Sequence, residues 1–222
     1  MNELILEAKN LVKEYVQGDE VTRVLDNINL SVTKGEFIII TGRSGSGKTT
    51  LLNIMAGLTF PSSGKVLFNG QDIFSLTDKE LSAHRNSRLG FIQQVSSALS
   101  NLTVLDNVRL PFFLMKRQGD PTDQAMKILE MLGIEKLAEK LPKRLSGGQL
   151  KRVVIARAMI NKPDFILADE PTSDLDDQTA AEIINVFREL ASNGTGIIMI
   201  THDLETICHA NKQYNLVGSH LT

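Results

Sequence analysis

The stretch TGRSGSGKTT, Thr41 to Thr50, follows the continuous apolar run Phe37 to Ile40 and precedes Leu51, Leu52, Ile54, Met55 and Leu58, which are apolar at helical spacing. A strand buried on both faces, a glycine loop and a helix in direct succession point to a parallel α/β sheet. Gly42 to Thr49 fits G-x-x-x-x-G-K-[ST] in the strand-before, helix-after context that the pattern requires. Gly45 and Gly47 let backbone N–H groups turn inward around phosphate oxygens. The helix start adds unpaired donors, Lys48 a cation, and Thr49 a hydroxyl suited to Mg²⁺. A phosphate chain of nucleoside-triphosphate type fits that cradle; a flexible glycine-serine turn is the bland alternative. Kinases and hydrolases share this loop, so it does not decide between transfer and hydrolysis.

A second constellation bears on that choice. Phe165 to Pro171, FILADEP, is a buried strand ending in two carboxylates. Asp169 suits a Mg²⁺ ion, held through water, and Glu170 suits a proton acceptor for an attacking water. Pro171 disfavours helix at Glu170 and so predicts extended backbone there. Alone, the string also reads as a solvated acidic turn.

The rest of the chain fits one globular domain over residues 1–222. Of its residues 42% are apolar, and 24 basic against 26 acidic side chains give a formal charge of -2, so no general electrostatic case for nucleic acid arises. The lone Cys208 makes no internal disulfide, Met1 to Lys9 lacks signal-peptide character, and no apolar run approaches the roughly 20 residues of a spanning helix. These features predict a cytoplasmic protein that reaches a membrane only through a partner. Alternation in Leu4 to Ala8 and Val24 to Val32 predicts an antiparallel N-terminal sheet, and Thr77 with Glu80 a capping box. A helical subdomain is expected at about 85–155, followed by the strand FILA, a helix from Asp177 to Ser192 and the strand GIIMI.

LSGGQ, Leu145 to Gln149, opens another helix and is either a second anion-directed helix start or a glycine turn with Ser146 as N-cap. With one phosphate cradle already complete, a second suggests a face completed by another copy. By these words in this order the chain resembles the ATP-binding cassette ATPases over nearly its whole length. The resemblance implies a P-loop NTPase-type core with an antiparallel β subdomain and a helical insertion. Its ATP contacts would be Gly42, Ser44, Gly45, Gly47, Lys48, Thr49 and Thr50 of the Walker A loop. Asp169 and Glu170 would be the Walker B pair, Ser146, Gly147, Gly148 and Gln149 the signature, Asp176 the end of the D-loop, and His202 the switch histidine beside Glu170 in catalysis. By itself, a strand-end histidine reads more readily as a satisfied polar core residue. Of the adjacent Gln93 and Gln94, which face opposite ways along a strand, the family frame selects Gln94 to join Thr49 and Asp169 at Mg²⁺. Tyr15 is either the adenine-stacking aromatic or a tyrosine packing on its own sheet.

LADEPT, RLGFI and LTVLDNVRLP look like the group that drives lipoprotein release, macrolide and peptide export, and cell-division signalling. Amino-acid importer ATPases and soluble cassettes of DNA repair are the alternatives, though no sustained heptads for a coiled coil appear. The partners implied are a second cassette, identical or related, and a permease whose cytoplasmic helix would dock near Gln94 to Pro111. PFFLM, Pro111 to Met115, reads as part of that surface or as subdomain core. Departures from the group are Gln93, Leu150 and VGSH near the C-terminus, where an Asp-Gly turn is usual.

Overall fold

The computed structural model describes residues 3–94 and 97–222, apart from the side chains of Leu204 and Glu205. Val95 and Ser96, within the expected permease-facing segment, lie outside the described residues.

Two long strands, β1 (Leu4–Gln17) and β2 (Glu20–Thr33), form a hairpin that reaches beyond the alternating segments visible in the sequence. With β4 (Ser63–Phe68) and β5 (Gln71–Asp72) they make an antiparallel sheet in the order β2-β1-β4-β5. A second sheet of six strands has the order β10-β9-β3-β8-β7-β6, built from β3 (Phe37–Thr41), β6 (Leu89–Ile92), β7 (Phe165–Asp169), β8 (Gly196–Ile200), β9 (Lys212–Val217) and β10 (His220–Leu221). All its pairings are parallel except that of β9 with β10.

Period-two alternation splits the six-stranded sheet between two cores. Ile38, Ile40, Leu167, Ile198 and Ile200 face α1 (Lys48–Met55), α2 (Asp78–Arg88) and the antiparallel sheet. Ile39, Ile166, Ala168, Ile197 and Met199 face α3 (Val104–Leu114), α4 (Thr122–Met131), α5 (Gly147–Met159) and α6 (Asp177–Ser192). The continuous apolar runs of β3, β7 and β8 are explained by this two-sided burial. A short α7 (Leu204–Ile207) follows β8. Among the described residues no helix is long and apolar enough to cross a membrane.

The expected start of the helical insertion needs correction. Residues 89–92 pair with β7 from Leu89–Phe165 through Ile92–Ala168 and belong to the sheet. That strand ends at Ile92, so Gln93 and Gln94, expected to alternate along it, lie just beyond its end. The helices that leave the sheet are α3 to α5, starting after Ile92. Within α3, Phe112 packs on the core while Phe113 and Leu114 are 48% and 67% exposed, so PFFLM supplies both core and surface.

Local signals set the helix ends. Thr77 and Glu80 form the expected capping box of α2. The VGSH hairpin closes with Gly218 and Ser219 at φ 53° and 71°, consecutive left-handed residues as in a type I′ turn. Ser219 is held there by its hydroxyl, which donates to the Arg23 carbonyl at 2.9 Å, and by its own carbonyl, which accepts from Asp26 N–H at 2.9 Å.

Candidate active site

Four neighbouring strand ends converge because β3, β8, β7 and β6 lie side by side and run the same way. β3 delivers the glycine loop, β7 the carboxylates, β8 His202 and β6 Gln94. They enclose a cavity of about 320 Å³ lined by Val24, Ser44 to Thr50, Gln94, Asp169, Glu170 and His202. A larger cavity, about 880 Å³, lies at the opposite end of the sheet, beside Asp164 and Thr195 ahead of β7 and β8.

The loop needs its glycines for space as well as for backbone freedom. Gly47 has φ 101°, and a Cβ there would meet the Val24 carbonyl at 2.9 Å; Gly42 has φ 146°, and a Cβ there would meet the Leu216 carbonyl at 2.5 Å. Lys48 is buried and donates Nζ to the carbonyls of Gly42 (2.7 Å) and Arg43 (2.8 Å), which aims its charge across the loop. Desolvation lowers its pKa, opposed by Glu170 and Asp169.

Thr49 Oγ1 donates to Asp169 Oδ2 at 2.7 Å, joining the loop to β7. Burial, with the neighbouring Glu170, pushes the Asp169 carboxyl upward, against the Thr49 hydrogen bond. Hydroxyl and carboxylate oxygens in contact are the hard donors that Mg²⁺ takes, so this pair fits that ion.

Glu170 departs from expectation. Its φ is 47°, left-handed rather than extended. Pro171 disfavours the right-handed helical region but leaves this one open, at a cost of about 1–2 kcal/mol. Compensating contacts hold the turn. Glu170 N–H donates to Ile200 O at 3.0 Å, and its carbonyl accepts from Ser173 Oγ at 2.9 Å. The reversal points the carboxylate at two donors: Gln94 Nε2 lies 2.8 Å from Oε2, and His202 Nε2 lies 2.9 Å from Oε1.

The structure thus brings Gly45, Gly47, Lys48, Thr49, Gln94, Asp169, Glu170 and His202 together. Ser146, Gly148, Gln149 and Asp176 line a separate cavity of about 350 Å³. There Ser146 caps α5 through a capping box with Gln149, and Asp176 caps α6 by accepting from Thr179 N–H at 2.9 Å. Gly147 is exposed in the first turn of α5. The N-cap reading of LSGGQ holds, and the helix start that Ser146 caps is open to the outside. Tyr15 is outside the first cavity and 47% exposed, with Lys13 Nζ 4.9 Å from its ring centre, so it is not a core tyrosine. It pairs with Thr22, two residues before Val24 in the cavity wall.

Sequence reasoning missed Val24, brought to the loop by the other sheet, and Lys151 of α5. Lys151 is only 5% exposed and donates Nζ to the Gln94 carbonyl at 2.8 Å. Desolvation lowers its pKa, while Asp174, Glu170 and Asp169 favour its charged form. A signal was available: Lys151 shares the buried stripe of Val154, Ile155 and Met159, where a lysine is out of place.

A glycine-loop cradle, two strand-end carboxylates and an oriented polar ring define a P-loop nucleotide hydrolase. The chain belongs to the ABC transporter family, whose profile matches residues 25–173. It is 40% identical to the lipoprotein-releasing system ATP-binding protein LolD of Shewanella oneidensis over 223 residues, covering 100% of this chain and 97% of that protein. Among solved structures, the dimeric ABC transporter cassette MJ0796 superposes with TM-score 0.92 at 35% identity, covering 98% of this chain and 96% of that one. A dimeric post-hydrolysis state of the same cassette, bound to ADP and Pi, gives 0.90 at 35% identity with the same coverage. The protein is an ATP-hydrolysing subunit of an ABC transporter, in the group anticipated from its motifs.

Proposed function

We propose that the protein drives lipoprotein release from a membrane, as a cytoplasmic-side subunit that closes on two ATP in pairs and passes the motion to a membrane permease. The observation that carries this reading is the 40% identity to LolD across the full length, with no segment of the motif order missing. Physical support comes from the division of the site. One copy presents a complete phosphate cradle, while its own signature residues line a different cavity and are free to meet a partner's nucleotide.

Within one half-site the Walker A amides and Lys48 bind the phosphates, and Tyr15 supplies an exposed ring for the base. Thr49, Asp169 and Gln94 would hold Mg²⁺, which neutralises charge on the phosphate oxygens. Glu170 accepts the proton of the attacking water. Gln94 and His202 engage one lone pair on each of its oxygens and leave others for that water. Exposed Phe113 and Leu114, beside a groove lined by Lys79, Arg85, Asn86 and Met115, are the proposed permease contact.

Affinity purification of the tagged chain from membranes, followed by reconstitution of the copurified permease, tests the reading. ATP should release a lipoprotein from the proteoliposomes. Vesicles that instead export a macrolide or peptide, or a chain that copurifies with no integral-membrane protein, would overturn it.

A further inference from the structure

Among the described residues, the loop that carries Gln94 is fastened to the helical insertion at three points. At its start, Lys151 of α5 donates to the Gln94 carbonyl at 2.8 Å. Two turns further along the same helix, Arg157 reaches the Ser97 carbonyl at 2.9 Å and its hydroxyl at 2.8 Å. Asn107 of α3, fully buried, donates to the carbonyls of Leu99, Leu102 and Thr103 and accepts from Leu99 N–H. Of these three fastenings only Lys151 touches the residue whose side chain meets Glu170.

Keeping an ammonium in that position is costly. Lys151 is 5% exposed, and among the described residues its Nζ donates to the Gln94 carbonyl. Taking an ammonium out of water costs more than one hydrogen bond to a carbonyl returns, so stability alone gives little reason for a cation here. Geometry gives a better one. A carbonyl fixed on one side of Gln94 fixes the peptide plane, and with it the direction in which the side-chain amide leaves toward Glu170 Oε2, 2.8 Å away. Displacement of a catalytic group by about 1 Å can cost about 100-fold in rate.

We propose that Lys151 is a positioning residue for ATP hydrolysis: from the helix that bears the signature it sets Gln94, and through Gln94 the Glu170 carboxylate. The inference rests on Glu170 being the proton acceptor. Lys151 does not line the cavity formed by the glycine loop, Asp169 and Glu170, so its loss should lower kcat and leave ATP binding in place.

The test compares Lys151→Met, Lys151→Arg, Gln94→Ala and the double variant Gln94→Ala/Lys151→Met for kcat, KM, equilibrium ATP affinity and Tm. In Lys151→Met, kcat should fall at least about 10-fold while KM and ATP affinity stay within about 3-fold and Tm does not drop. Lys151→Arg, which keeps a cationic donor, should recover most of the rate. Because both residues act through one contact, the double variant should be no more than about 2-fold slower than Gln94→Ala. If Lys151→Met does not fold, Lys151→Gln, neutral and too short to reach the carbonyl, takes its place in the comparison. Turnover of Lys151→Met near wild type, losses that multiply in the double variant, or a parallel fall in Tm and ATP affinity would each overturn the proposal. Glu170→Gln separates the two ideas. If it still hydrolyses ATP the assignment of the base fails, whereas an inactive Glu170→Gln beside an unimpaired Lys151→Met refutes the role of Lys151 alone.

Discussion

His202 Nε2 lies 2.9 Å from Glu170 Oε1, joining the ends of two adjacent parallel strands, β8 and β7, through a carboxylate on left-handed backbone. With Gln94 on the other oxygen, Glu170 is oriented from both sides. Replacement by glutamine preserves the shape and removes the proton acceptor. Glu170→Gln should keep ATP affinity and lose about 10² to 10⁴ in kcat, or roughly 3–5 kcal/mol of barrier. Single-turnover hydrolysis beside equilibrium binding checks this, and a rate within a few-fold of wild type would remove Glu170 from the base role.

Tyr15 stands exposed on β1, so its ring is available for stacking at little structural cost. Tyr15→Ala should weaken ATP binding by about 1–3 kcal/mol, the usual worth of an aromatic platform under a base, and leave Tm nearly unchanged. Affinity and thermal melting measured on the same variant separate the roles. Unchanged affinity would rule out stacking.

Ser146 and Gly147 are exposed at the open start of α5, while Lys48 is buried in its own cradle. If the γ-phosphate bridges the two in different copies, ATP favours the dimer by mass action. Glu170→Gln should sediment as a monomer without nucleotide and as a dimer with ATP. Adding Ser146→Arg should restore the monomer by obstructing the facing nucleotide. ATP-dependent pairing that survives Ser146→Arg would place the interface elsewhere.

His84 of α2 packs edge-on against Phe68, with ring centres 4.4 Å apart, and near Phe165 at 6.5 Å. Burial lowers its pKa, Arg88 and Arg85 add to the effect, and Asp164 opposes it. The unfolded chain therefore takes up a proton near pH 6.5 that the folded chain refuses, and stability falls as the pH drops below that value. Relative to His84→Gln, wild type should lose up to about 1.4 kcal/mol per pH unit through this window and nothing above about pH 7.5. Urea unfolding from pH 8 to 5 is the measurement; parallel curves for the two proteins would contradict the assignment.

The sequence by itself determined what is local. The phosphate loop declares itself because Gly42, Gly47, Lys48 and Thr49 lie within eight residues, and backbone freedom, charge and hydroxyl are needed within one turn of chain. Buried strands and capped helices were legible for the same reason: β7, α6 and the Thr77–Glu80 box are written in consecutive side chains. Tertiary structure decided what depends on neighbours distant in the chain. β6 is a strand because β7 offers it partners, and Glu170 turns left-handed because Ile200 and Ser173 hold it there, where Pro171 alone disfavours only one alternative. The tie from Lys151 to Gln94 spans 57 residues. Only the packing of α5 against the loop converts a misplaced lysine into a hydrogen bond, because burial and partner are properties of the fold and not of the segment.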